Sequence, residues 1–142
     1  MGQMPDRRLH VLVADDDDDL RALIAATLRS DGHDVVEARD GAELLERLDV
    51  AINSEDDKPD LLITDVRMPM LSGLGVLTAL RRAHVSMPVL VITVYADASI
   101  RAVAERLGAV GLLLKPIDMD ELRAAVVDAQ AAFARRSGSP RS

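Results

Sequence analysis

The chain has 142 residues, enough for one domain with a single core, and no cysteine, which excludes disulfides and thiolate metal sites and suits a reducing compartment. A net charge of -7, with only one tyrosine and one phenylalanine, excludes direct nucleic acid binding, because phosphates need basic partners and unpaired bases need rings to stack on. No apolar run approaches the roughly 18 residues of a membrane span, so a soluble cytoplasmic protein without membrane contact is expected.

In chain order, residues 1–8 form an N-terminal extension, residues 9–136 the domain, and residues 137–142 (SGSPRS from Ser137) a disordered tail or linker. The first strand runs Leu9 to Ala14. A helix follows, with Asp18 at its N-cap, Leu20, Leu23, Ile24, Thr27 and Leu28 on one face, and Gly32 where a C′ glycine belongs. A second, weaker strand covers Val35 to Ala38. The second helix has Asp40 as N-cap, Glu43 as capping-box partner, and a stripe of Leu44, Leu45, Leu48 and Ile52. The acidic loop Asn53 to Asp60 lacks apolar residues and is read as solvated, with no assigned role. The third strand is Leu61 to Thr64, and the third helix carries Leu74, Leu77 and Leu80. The fourth strand is Val89 to Val94, with a helix after it capped by Asp97, striped by Ile100, Val103, Ala104 and Leu107, and closed at Gly108. Gly111 to Leu114 is the fifth strand; Leu122, Ala125, Val126, Ala129 and Phe133 mark the last helix.

Strands that are apolar throughout, and not alternating, suit a parallel sheet covered on both faces. Five strand–helix units with right-handed crossovers predict an α/β fold, a doubly wound five-stranded parallel sheet of order 2-1-3-4-5. In such sheets ligands bind outside the carboxyl ends of the strands. There the sequence places Asp15 and Asp16 after the first strand, Asp65 after the third, Thr93 at the end of the fourth, and Lys115 after the fifth. Two carboxylates about 4 Å apart repel by about 4 kcal/mol at an effective dielectric near 20. A divalent cation relieves that repulsion, and oxygen ligands without nearby His or Cys suit magnesium, which shares its shell with phosphate oxygens. With Lys115, one such ion offsets three negative charges. The arrangement suits a phosphoryl group.

From Leu9 to about Phe133 the chain resembles the receiver domain of a bacterial two-component response regulator. The matches are the acidic pair Asp15 and Asp16; LLITDVRMPMLSG, with Asp65, Pro69 and Gly73 at the family spacing; VLVITVYAD, with Thr93; and GLLLKP, with Lys115 before Pro116. The resemblance implies a flavodoxin-like three-layer sandwich and a phosphoprotein of phosphorelay signal transduction. It implies that Asp65 takes a phosphoryl group from a phosphohistidine of a sensor histidine kinase or phosphotransfer protein, with Mg2+ as cofactor. Asp16 and Asp65 then ligate the ion directly, Asp15 through water, and Arg67 by its backbone carbonyl. Lys115 and the Thr93 hydroxyl each bond a phosphate oxygen. Thr93 draws in the loop after the fourth strand, and the face made by the fourth helix, fifth strand and fifth helix is read by an output protein or a missing effector domain. Such a module is a phosphoacceptor rather than an enzyme, at most catalysing its own phosphorylation and dephosphorylation. A cis Lys115–Pro116 bond is also implied.

Three features depart from the family pattern: Leu112, Val94, and the acidic loop from Asn53 to Asp60, which makes the connection between the second helix and third strand longer than a minimal receiver needs. Leu112 stands where an aromatic switch residue is frequent, so no ring can move inward on activation. Val94 stands where a small residue is usual, which predicts slower entry of phosphodonors and water. Arg67 and Tyr95, each two residues beyond a site residue, flank the water path and predict a long-lived phosphorylated state.

Plainer roles are assigned elsewhere. Asp17, Asp18 and Asp19 form a solvated helix start, where negative charge is favourable. His10, His33 and His84 lie outside the cleft, at the surface or strand edges, and Met68 and Met70 are packing residues. Two other functions share some of the pattern. A small phosphatase of the haloacid-dehalogenase type uses an Asp-x-Asp pair, which Asp15 and Asp17 fit loosely, but it leaves Asp65 unexplained. A receiver-like interaction module that is never phosphorylated would keep the fold.

Overall fold

The computed structural model describes residues 8–53, 58–66, 73–83, 87–94 and 97–137. In chain order the elements are β1 (His10–Ala14), α1 (Asp18–Ser30), β2 (Asp34–Ala38), α2 (Gly41–Ile52), β3 (Leu61–Asp65), α3 (Gly73–Arg82), β4 (Val89–Thr93), α4 (Ala98–Arg106), β5 (Gly111–Leu114) and α5 (Met119–Ser137). The strands form one parallel sheet in the order β2-β1-β3-β4-β5, with Leu12 opposite Leu62, Ile63 opposite Leu90 and Thr93 opposite Leu114.

The expected single core is divided in two by the sheet. Successive strand side chains point to opposite faces, so an unbroken apolar run feeds two layers at once. Val11, Val13, Leu61, Ile63, Leu90 and Ile92 pack with Ile24 and Leu28 of α1 and Leu122 and Val126 of α5. Leu12, Leu62, Val89 and Val91 pack on the other face with Leu44 and Leu48 of α2 and Val76, Leu77 and Leu80 of α3. Full burial of each such side chain is worth about 2 kcal/mol. The three central strands are buried almost throughout, whereas β5 is half-buried and β2 leaves Val36 exposed.

Several sequence readings are corrected. Asp17, and not Asp18, caps α1: its side chain accepts from the backbone N–H groups of Asp19 and Leu20, both at 3.1 Å. Leu23 and Leu45 are exposed at 49% and 47%, because the apolar stripes of α1 and α2 are narrower than their leucine content suggests. Around α2, Asp40 accepts from the Glu43 N–H at 2.9 Å, while the Glu43 carboxylate reaches the Arg39 N–H, one residue before the cap. Asp97 holds the N-cap of α4 without a side-chain capping bond. His33 is buried, not at the surface: its Nδ1 accepts the Leu9 N–H at 3.0 Å, and burial lowers its pKa. Gly32 and Gly108 take positive φ at the ends of α1 and α4, where a side chain would be strained. Among the described residues no helix is long and apolar enough to cross a membrane.

Candidate functional site

At the carboxyl end of β1 the five aspartates separate by environment. Asp15 continues the sheet pairing, its N–H bonded to the Ala38 carbonyl at 3.2 Å, and its side chain is fully buried. Its Oδ1 accepts the Asp17 N–H at 2.8 Å. Asp16 is exposed, Asp17 caps α1, and Asp18 pairs with Arg21 at 2.8 Å.

Parallel pairing sets the remaining groups beside Asp15. Asp65 ends β3, one strand away, and is buried; Val66 follows with its N–H on the Ile92 carbonyl at 3.0 Å. One carboxylate oxygen from each of Asp15, Asp16 and Asp65 lies within 4.8 Å of the others. Lys115, just past β5, sets its Nζ 2.8 Å from Asp65 Oδ2 and 3.0 Å from Asp15 Oδ2. Thr93 is fully buried at the end of β4, and its carbonyl accepts the Lys115 N–H at 2.7 Å, tying the two strand ends together. The Lys115–Pro116 bond is cis.

One ammonium serves two carboxylates, and the compensation is incomplete. Burial, with the Asp65 charge adding to it, raises the Asp15 pKa against the pull of the Asp17 N–H and Lys115. Burial also opposes the Lys115 charge, but its hydrogen bond to Asp65 and its ion pair with Asp15 outweigh that and its pKa is raised. Although Asp15 Oδ2 is close to Lys115, the contact is an ion pair lacking the alignment of a hydrogen bond, so this buried oxygen has no hydrogen-bond donor. Three carboxylates and one ammonium leave two uncompensated negative charges. The orphaned oxygen, the all-oxygen donor set and that charge fit a hard divalent cation such as magnesium.

Other sequence-picked residues fall around this centre. Leu112 is half-buried on β5 and packs against the layer that holds α2 and α3, in company with Ile100 of α4 and Leu107 just past its end. Val94 is 60% exposed and Gly73 opens α3. Arg67, Met68, Pro69, Met70, His84 and Tyr95 lie outside the described residues, as do residues 54–57 of the acidic loop, 1–7 and 138–142. Sequence reasoning missed Arg21, which is buried under the aspartates with its Nη1 on the Asp15 carbonyl at 2.8 Å. The available signal was an arginine three residues after Asp18, within the apolar face of α1. A groove of about 550 Å³ between α2 and the starts of β1 and β2 contains none of these groups.

A family model, the response regulator receiver domain, matches residues 11–127. The chain belongs to the response regulator receiver family. Over 129 residues it is 37% identical to the transcriptional regulatory protein PrrA of Mycobacterium tuberculosis, covering 91% of this chain and 51% of PrrA. It is 34% identical to the transcriptional regulatory protein GlrR of Escherichia coli, covering 89% of this chain and 27% of GlrR. The chain thus spans about half, or less, of the length of these curated relatives. A receiver domain structure from Clostridium thermocellum superposes with a TM-score of 0.77 at 30% identity, covering 87% of this chain and 95% of that one. The receiver fold and its place in two-component signalling follow. The phosphatase reading is set aside on family and on geometry, since Asp17 Oδ1 is committed to capping α1.

Proposed function

We propose that this receiver accepts a phosphoryl group on Asp65 from the phosphohistidine of a sensor histidine kinase or phosphotransfer protein, in a magnesium-dependent reaction within the cytoplasm. The observation that carries this reading is the meeting of Asp15, Asp16 and Asp65 within 4.8 Å, with Lys115 Nζ 2.8 Å from Asp65. In the transfer an Asp65 carboxylate oxygen attacks phosphorus, the O–P bond forms as the P–N bond to imidazole breaks, and the imidazole keeps the electron pair. Asp15, Asp16, Asp65 and the Arg67 carbonyl would hold the ion, which when bound supplies charge neutralisation for the phosphoryl oxygens. Lys115, already on Asp65, neutralises another of those oxygens, and the Thr93 hydroxyl bonds a third.

Phosphorylation then acts as a switch. Thr93 and Lys115 are joined through their backbones, so a phosphoryl group held by both pulls on the ends of β4 and β5 together. The face of α4, β5 and α5 would transmit that change to an output protein or effector domain, with Leu112 shifting by packing and without ring rotation. The unit performing this spans residues 9–136, with 137–142 as linker.

The test is incubation with magnesium and acetyl phosphate followed by intact mass measurement. The expected result is a gain of one phosphoryl group on the unaltered protein and none on Asp65→Asn. No gain on the unaltered protein, with the site folded, identifies a receiver-like interaction module instead.

A further inference from the structure

Arg21 is the one arginine among the described residues that is buried, and its guanidinium uses three directions at once. Nη1 donates to the Asp15 carbonyl at 2.8 Å, Nε to Glu37 Oε1 on β2 at 3.1 Å, and Nη2 lies 2.8 Å from Asp18 Oδ1. Its positive charge is therefore spent on Asp18 and Glu37, and what reaches the acidic cluster is geometry. The Asp15 backbone is held on both sides, its N–H by the Ala38 carbonyl and its C=O by Arg21. That second hold fixes the plane of the Asp15–Asp16 peptide.

The orientation of that peptide matters because Asp16 has no other anchor: its carboxylate makes no hydrogen bond or ion pair among the described residues. Its position is inherited from the backbone that precedes it. Rotation of the Asp15–Asp16 peptide carries Asp16 away from Asp65 and leaves a buried carbonyl without a donor, so the three oxygens no longer converge. Lysine cannot replace this grip fully, since one ammonium does not reproduce a planar fork bound to three partners.

The geometry points to Arg21 as a positioning residue that holds the Asp15–Asp16 pair in register for cation binding, without touching the ion. This rests on the reading of Asp15, Asp16 and Asp65 as a magnesium site. Partners one shell away from a metal commonly change its affinity by about 10- to 100-fold when removed.

The experiment is calorimetric titration of the unaltered protein, Arg21→Met, Arg21→Lys and Arg29→Met with MgCl2, with no phosphodonor present. Arg29→Met is the control: it removes the same charge from the same helix, breaking bonds to Glu37 and the Val35 carbonyl but none to Asp15. The expected result is magnesium binding about tenfold weaker in Arg21→Met, several-fold weaker in Arg21→Lys, and within about twofold of the unaltered protein in Arg29→Met. Unchanged affinity in whichever Arg21 variant folds, or an equal loss in Arg29→Met, overturns the inference. Absence of binding to the unaltered protein overturns the magnesium site itself, and Arg21's role with it.

Discussion

The centre of the sheet and its β5 side are built to different tolerances. β3 and β4 are buried along their whole length, and β3 delivers Asp65 from between two neighbours that hold it by parallel pairing. β5 is an edge strand with no fully buried residue, and α4 beside it buries only Ala104. α4 is held at its C-terminus by Arg81 of α3, which donates to the Leu107 carbonyl at 2.8 Å, and its N-cap Asp97 makes no side-chain capping bond. The proposed phosphoacceptor role asks for a fixed carboxylate at Asp65, and the proposed reporting face asks for a region with little cohesion to lose. Lys115 and Thr93 lie at the junction of the two regions.

The sharpest way to break this contrast is to make the same substitution in both halves. Leu62 and Leu112 pack against one apolar layer, Leu62 fully buried and Leu112 half-buried. Leu62→Ala should cost about 4 kcal/mol in urea unfolding and Leu112→Ala roughly 1 kcal/mol. Equal losses would mean that β5 is as firmly built as the centre.

A second effect runs the other way. Asp15 is a buried carboxylate sharing one ammonium, with an oxygen that makes an ion pair to Lys115 but no hydrogen bond. Because burial disfavours the Asp15 charge and Lys115 keeps Asp65 as a partner, Asp15→Asn should raise metal-free stability, read as a higher Tm in a chelator, while weakening magnesium binding. A lower Tm would mean that Lys115 already compensates the site.

Away from the site, His33 ties α1 to β1 and gives the rigid region a pH limit. Its folded pKa is lowered by burial below the ordinary value of 6.5, so the unfolded chain binds the proton first. The stability from neutral His33 is fully present above pH 6.5 and declines as pH falls below it toward the lowered pKa. His33→Asn, which keeps an acceptor for the Leu9 N–H, should flatten that decline in unfolding measured from pH 7.5 to 5; an unchanged slope would assign it to other groups. The smallest expected change in stability is that of Val94→Ala, within about 0.5 kcal/mol because the side chain is exposed, with faster phosphorylation and dephosphorylation. Unchanged rates would remove Val94 from the path of phosphodonors.

The strand order was legible because runs such as Leu61–Ile63 and Val89–Ile92 are apolar on every residue, as a sheet covered on both faces requires. Asp15, Asp65 and Lys115 were legible as polar residues placed where such runs stop. Arg21 was not, because its value lies in a carbonyl contact that leaves no mark on periodicity. Leu23 and Leu45 misled for a related reason: three leucines or isoleucines close together on a helix can span more arc than the sheet covers. His33 reads in the sequence as a surface or strand-edge residue, and only the fold brings its ring to the backbone of Leu9.

The most direct measurement is peptide mapping by mass spectrometry after reaction with acetyl phosphate, run with magnesium and again with a chelator. A phosphoryl group on the peptide containing Asp65, formed with magnesium and nearly absent in the chelator, is the outcome expected of the carboxylate cluster. Modification elsewhere, or equal modification at Asp65 without the metal, would contradict it.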